Sequence, residues 1–123
     1  MKRMTQIYIV IAIFLSGYLV PDIALSQDLP VFEAGGPEFG QHLGKGKWLV
    51  VKIWASDCHV CNHEAHNYVD YYEFGAGDRT KLVGISLDGQ DQQAARDFIQ
   101  RHDVTYPNFI TDFATGSRWF SGI

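Results

Sequence analysis

Two cysteines separated by two residues, Cys58 and Cys61, stand just after an apolar and β-branched run, Trp48-Leu49-Val50-Val51-Lys52-Ile53-Trp54. That run reads as a strand, and its nearly continuous apolar character predicts a central strand covered on both faces. Gly44, Gly46 and the lysines beside them read as the turn that delivers it. After Ala55, Ser56 and Asp57 are good N-cap residues, and a helix from about Cys58 to Tyr71 brings Ala65, Tyr68, Val69 and Tyr72 to one side. The cysteines therefore fall on the first turn of a helix that follows a buried strand.

The chemistry open to such a pair depends on its compartment. Lys2 and Arg3 precede a mostly apolar stretch, Ile7 to Val20, and Ala24-Leu25-Ser26 offers small residues where a signal peptidase reads. The stretch has about 14 residues where a spanning helix needs roughly 20. Residues 1–26 are thus expected to be a signal peptide cleaved before Gln27, with a retained N-terminal membrane anchor as the alternative. Outside the cytosol a thiol pair oxidises unless something actively reduces it. Cys58 and Cys61 are the only cysteines, so one intramolecular bridge is available. A bridge across two residues closes almost no loop and is a weak staple, which makes chemistry the better reading.

Position on a helix start gives that chemistry a direction. Free backbone N–H groups and the helix dipole favour an anion, so Cys58 is expected to be the attacking thiolate. Cys61, one turn further in, is expected to be more buried and to resolve the mixed disulfide that Cys58 forms. Asp57 should raise the thiolate's pKa by like-charge repulsion, and protonated His59 should lower it. Trp54 beside the site reads first as a core residue and second as a tuning or contact residue.

The segment Lys52-Ile53-Trp54-Ala55-Ser56-Asp57-Cys58-His59-Val60-Cys61-Asn62-His63-Glu64 resembles the active-site segment of the thioredoxin superfamily. The W-A-x-x-C-x-x-C core, the leader and an acidic residue three places after the second cysteine are similar to the TlpA/ResA-like periplasmic thiol-disulfide oxidoreductases. Lys81 to Gly89 resembles the second core strand and its loop, and Tyr106 to Asp112 the extra strand that these proteins insert. The likeness covers about residues 32 to 119. It implies attack by Cys58, resolution by Cys61 and proton transfer aided by Glu64. It also implies a redox-active disulfide with no other cofactor, and exported protein thiols or disulfides as partners. A reducing direction is the expected one, with electrons arriving from a membrane thiol reductase. Asp57 and Val60 stand where relatives usually have Trp and often Pro, so their redox potential is not carried over.

Strand, helix, strand, helix, strand in alternation independently predicts an α/β fold of right-handed βαβ units, a mostly parallel sheet flanked by helices. With 123 residues there is room for one domain. Its parts are read as the leader 1–26, a lead-in segment 27–47 and a partial thioredoxin-like domain 48–123. The chain stops at Ile123 before any segment resembling the family's cis-proline loop, closing hairpin or last helix, and Pro107 opens a strand and does not substitute. A domain so shortened is expected to be weakly stable alone, with an exposed sheet edge.

Other readings of the cluster are weighed against this one. His59, His63 and His66 with Cys58 and Cys61 are chemically suited to copper or zinc, with Cys58, Cys61, His63 and His66 the candidate ligands. A compact zinc site takes its second ligand pair from a distant segment, however, and His42 and His102 show no paired spacing. A metal-binding module, or an inactive shortened family member, remains as the alternative function. Covalent haem is excluded because Asn62, not His, follows Cys61. The Pro-x-x-x-Thr/Ser-x-x-Cys arrangement of peroxidatic sites is missing around Cys58. A formal charge of -4 with no Lys/Arg run excludes a nucleic-acid surface. Tyr71, Tyr72 and Phe74 are expected to close the first helix against the sheet, and Asp88-Gly89 to form a turn.

Overall fold

The computed structural model describes residues 27–121. The leader read over 1–26 lies outside the described residues, and among them no helix is long and apolar enough to cross a membrane. In chain order the elements are α1 (Pro37–Gly40), β1 (Trp48–Trp54), α2 (His59–Asp70), a π-helical turn (Tyr71–Gly75), β2 (Thr80–Ser86), α3 (Gln92–Arg101), β3 (Asn108–Ile110) and α4 (Phe113–Phe120). The three strands form a parallel sheet in the order β1-β2-β3.

Parallel register places Val51 beside Val83 and Ile53 beside Ile85, which in turn lies beside Phe109. Side chains alternate across a strand, so these share one face, and there Val83, Ile85 and Phe109 pack with Phe32, Phe39 of α1 and Trp119 and Phe120 of α4. On the opposite face Trp54 and Ile110 pack with Cys61 and Ala65 of α2 and Ala95 and Phe98 of α3. Helices thus cover both faces. Residues 27–47 belong to this core: Leu29, Phe32 and Phe39 are buried, and Phe32 and Pro30 exchange backbone hydrogen bonds with Ile110.

Two expectations need correction. The central strand is β2, whose Leu82 to Ser86 are all buried, while β1 has a strand on one side only among the described residues. Trp48 is 80% exposed and the middle of β1 is half-buried. An apolar run reports how strongly a strand tends to be covered, not which strand pairs beside it. The second correction concerns the end of α2. Phe74 stands 87% exposed and Tyr72 is also at the surface, because the π-helical turn adds a residue and rotates the succeeding side chains out of helical phase. Tyr71 ties back by donating from its hydroxyl to Thr80 at 3.0 Å, and Tyr72 keeps an edge contact with the buried Tyr106 at 6.1 Å between ring centres.

Gly84 explains how Trp54 lies over the sheet. In the ladder Gly84 sits between Lys52 and Asn108, and the indole Nε1 of Trp54 donates across it to Asn108 Oδ1 at 2.9 Å. A Cβ on Gly84 would lie 2.9 Å from that Nε1 and would collide with Asn108 Oδ1. Gly84→Ala is therefore expected to break the bond and cost about 1–3 kcal/mol of stability. A urea midpoint equal to that of the parent would contradict this packing.

Candidate active site

Residues Ala55 to Cys58 turn the chain from β1 into α2, closed by the Cys58 N–H donating to the Ala55 carbonyl at 3.2 Å. Cys58 itself is the N-cap of α2: its backbone is extended, and its Sγ accepts from the N–H of Cys61 at 3.2 Å. Ser56 and Asp57, the expected caps, stand outside the helix. The sulfur of Cys58 thus occupies the position where a helix start leaves N–H groups without partners. Cys58 and Cys61 form a disulfide, with Cα atoms 5.2 Å apart. Cys58 is half-buried, while Cys61 is only 8% exposed, inside the cluster with Trp54, Ala65 and Phe98.

The remaining predicted site residues separate into two groups. Glu64, one turn beyond Cys61, is 3.3 Å from the ammonium of Lys52, which also sits 4.1 Å from the ring centre of Tyr68. Trp54 is buried, stacked on Phe98 at 4.3 Å between ring centres. Asp57, His59, His63 and His66 all point to the exposed surface. Among the described residues no three His, Cys, Asp or Glu side chains gather into a cluster that would hold a metal ion, so His63 and His66 are not joined to the cysteines as a ligand set.

Three residues beside the pair escaped the sequence reading. Lys52 was hidden in its strand, although a lone lysine inside an apolar run is a usable signal for an inward ion pair. Asp88, read as a turn residue, reaches back to the active-site loop: its carboxylate accepts from the Ser56 N–H at 2.9 Å, the Ser56 hydroxyl at 2.6 Å and the Ser86 hydroxyl at 2.6 Å. Asn62 donates from its amide to the carbonyls of Ser56 and Cys58 at 3.0 and 2.9 Å. Its oxygen accepts from Arg101 at 3.3 Å and faces His102 Nε2 at 2.8 Å. Burial, then the charge of Arg101, holds the His102 imidazole below its ordinary pKa. No local pattern marks the reach of Asp88 to Ser56 or of Asn62 to Arg101 and His102, since folding brings those groups near.

Chemically, the arrangement presents one sulfur at a helix start and a second behind it, joined by a bond that a thiolate can open. Comparison with solved structures places this geometry among known proteins. StoA from Bacillus subtilis is similar with a TM-score of 0.54 and 28% identity, over 66% of this chain and 61% of that one. A DsbF homologue from Corynebacterium diphtheriae is similar with a TM-score of 0.52 and 28% identity, over 59% of this chain and 46% of that one. The chain thus spans less than two thirds of the length of either relative. No curated protein matches the sequence significantly. The fold is thioredoxin-like, as the active-site segment implied. The model of the family described as AhpC/TSA matches residues 20–112, a span that takes in β1, α2, β2, α3 and β3, the elements that build and hold the cysteine pair, and the chain belongs to that family.

Proposed function

We propose that this chain is an exported thiol-disulfide oxidoreductase that exchanges disulfides with protein substrates through Cys58 and Cys61, acting mainly as a reductant. The observation that carries the reading is the placement of Cys58 Sγ on the N–H of Cys61 at the start of α2, with Cys61 buried behind it. In the reduced protein, the Cys58 thiolate attacks one sulfur of a substrate disulfide and the other sulfur leaves as a thiolate. Cys61, losing its proton, then attacks Cys58 Sγ and releases the second substrate thiolate. The substrate gains two electrons and the chain is left with the Cys58–Cys61 disulfide.

Glu64 is assigned to proton transfer to and from Cys61, with Lys52, 3.3 Å away, holding its carboxylate in place. Asp57 and His59, both at the surface beside Cys58, are assigned to tuning its thiolate, and Trp54 to shielding Cys61 from water. The leader supports action outside the cytosol, where a membrane thiol reductase would return the pair to the dithiol.

A redox titration of the full chain against glutathione tests this reading. Trapping free thiols across the series is expected to show one reversible two-electron transition within roughly -270 to -120 mV, the range of known catalytic pairs. Failure of the disulfide to re-form, or thiols protected by bound metal, would remove the oxidoreductase reading.

A further inference from the structure

The segment Ser56–Cys58 is gripped from both sides, by Asp88 from 32 residues further along the chain and by Asn62 from the first turn of α2. On the donor side, the Asp88 carboxylate takes the N–H and the hydroxyl of Ser56 while it also holds Ser86 at the end of β2. On the acceptor side, the Asn62 amide takes the carbonyls of Ser56 and Cys58, and its own oxygen is held by Arg101 and His102 at the end of α3. The turn carrying Cys58 is thereby tied to β2 and α3 by bonds that do not involve sulfur.

Opening the disulfide removes one covalent tie from this turn and leaves those bonds in place. If they hold the Cys58 backbone in the same position in the dithiol, the two thiols stay close and the bond re-forms with little loss of chain freedom. We infer that Asp88 and Asn62 are positioning residues that set the thiol-disulfide equilibrium of Cys58 and Cys61 by fixing the Ser56–Cys58 segment in both redox forms. The inference rests on the redox reading above and names residues that do not touch the reacting atoms. Loss of either grip lets the dithiol relax more than the disulfide, so the equilibrium moves toward the dithiol.

The test is the equilibrium of the full chain with glutathione, in which two glutathione thiols reduce the protein disulfide and leave the dithiol and one glutathione disulfide. Asp88→Ala and Asn62→Ala are each expected to move the constant toward the dithiol by about three- to tenfold, what one net hydrogen bond is worth. Asp88→Asn keeps an acceptor for the Ser56 N–H and is expected to stay within about twofold of the parent, since the serine hydroxyls can turn to accept from its amide. Ser56→Ala removes only the hydroxyl bond and is expected to shift the constant by about twofold; it reads the same grip should Asp88→Ala fail to fold.

A purely structural role destabilises the oxidised and reduced proteins equally and leaves the constant unmoved, and that outcome in Asp88→Ala and Asn62→Ala would overturn the inference. An Asp88→Asn shift as large as that of Asp88→Ala would also overturn it for Asp88, by assigning the effect to charge. Should the parent itself show no reversible transition, the redox reading falls and this inference falls with it, whereas a reversible parent with unmoved variants removes the inference alone.

Discussion

Cys61→Ser is expected to accumulate a stable mixed disulfide between Cys58 and its partner thiol, while Cys58→Ser loses exchange altogether. Cys58 is the half-buried sulfur and sits on an N–H of the first turn of α2, whereas Cys61 is 8% exposed and packed among Trp54, Ala65 and Phe98. An incoming disulfide therefore meets Cys58 first. A serine hydroxyl at position 58 is not ionised near neutral pH and cannot make the attack, so exchange should fall by at least about a thousandfold. At position 61, what is lost is the intramolecular release, a step favoured by a large effective concentration of the neighbouring thiol, and the trapped species should outlast that of the parent by a similar factor of about a thousand. Mass spectrometry of acid-quenched mixtures distinguishes the two variants. Trapping by Cys58→Ser but not by Cys61→Ser would reverse the assignment of attacking and resolving thiols.

Trp54→Ala is expected to cost about 3–5 kcal/mol, the range for deleting a large buried aromatic residue. Trp54 is 2% exposed, stacks on Phe98, and donates its indole N–H to Asn108. The alanine variant leaves a cavity under the cysteine pair and strips the Asn108 oxygen of its donor. Small domains are stable by only about 5–15 kcal/mol, so the variant should be largely unfolded in mild urea. Trp54→Phe keeps the stacking but not the bond and should cost about 1–3 kcal/mol. Unfolding followed by circular dichroism reads both, since tryptophan fluorescence changes with the substitution itself. A cost near that of a surface change, under about 0.5 kcal/mol, would mean that Trp54 does not support this face.

Several features were legible in the order of residues alone. Trp48–Trp54 as a strand, the helix beginning at the cysteines, the alternation of strands and helices, and the greater burial of Cys61 all appear as read, because each depends on periodicity or spacing over a dozen residues. The helix start was placed a residue early, since Cys58 supplies the cap through its own sulfur in preference to Ser56 or Asp57. Phe74 was misplaced because a single π-helical turn breaks the 3.6-residue period on which the reading relied.

Local composition and spacing were thus enough to place a redox-type cysteine pair at a strand-to-helix junction of an α/β sheet. Hydrophobic periodicity and capping act between neighbours in the chain, so they survive in the sequence as pattern. Packing settled the rest. Trp54 meets Asn108 across 54 positions, Ser56 meets Asp88 across 32, and Asn62 meets His102 across 40. Each of these is a polar group, partly buried by folding, that must find a partner wherever the sheet and helices bring one within reach, and that requirement leaves no spacing along the chain to read. The position of β1 beside β2 alone, among the described residues, was decided in the same way, by which strands meet once the helices cover both faces.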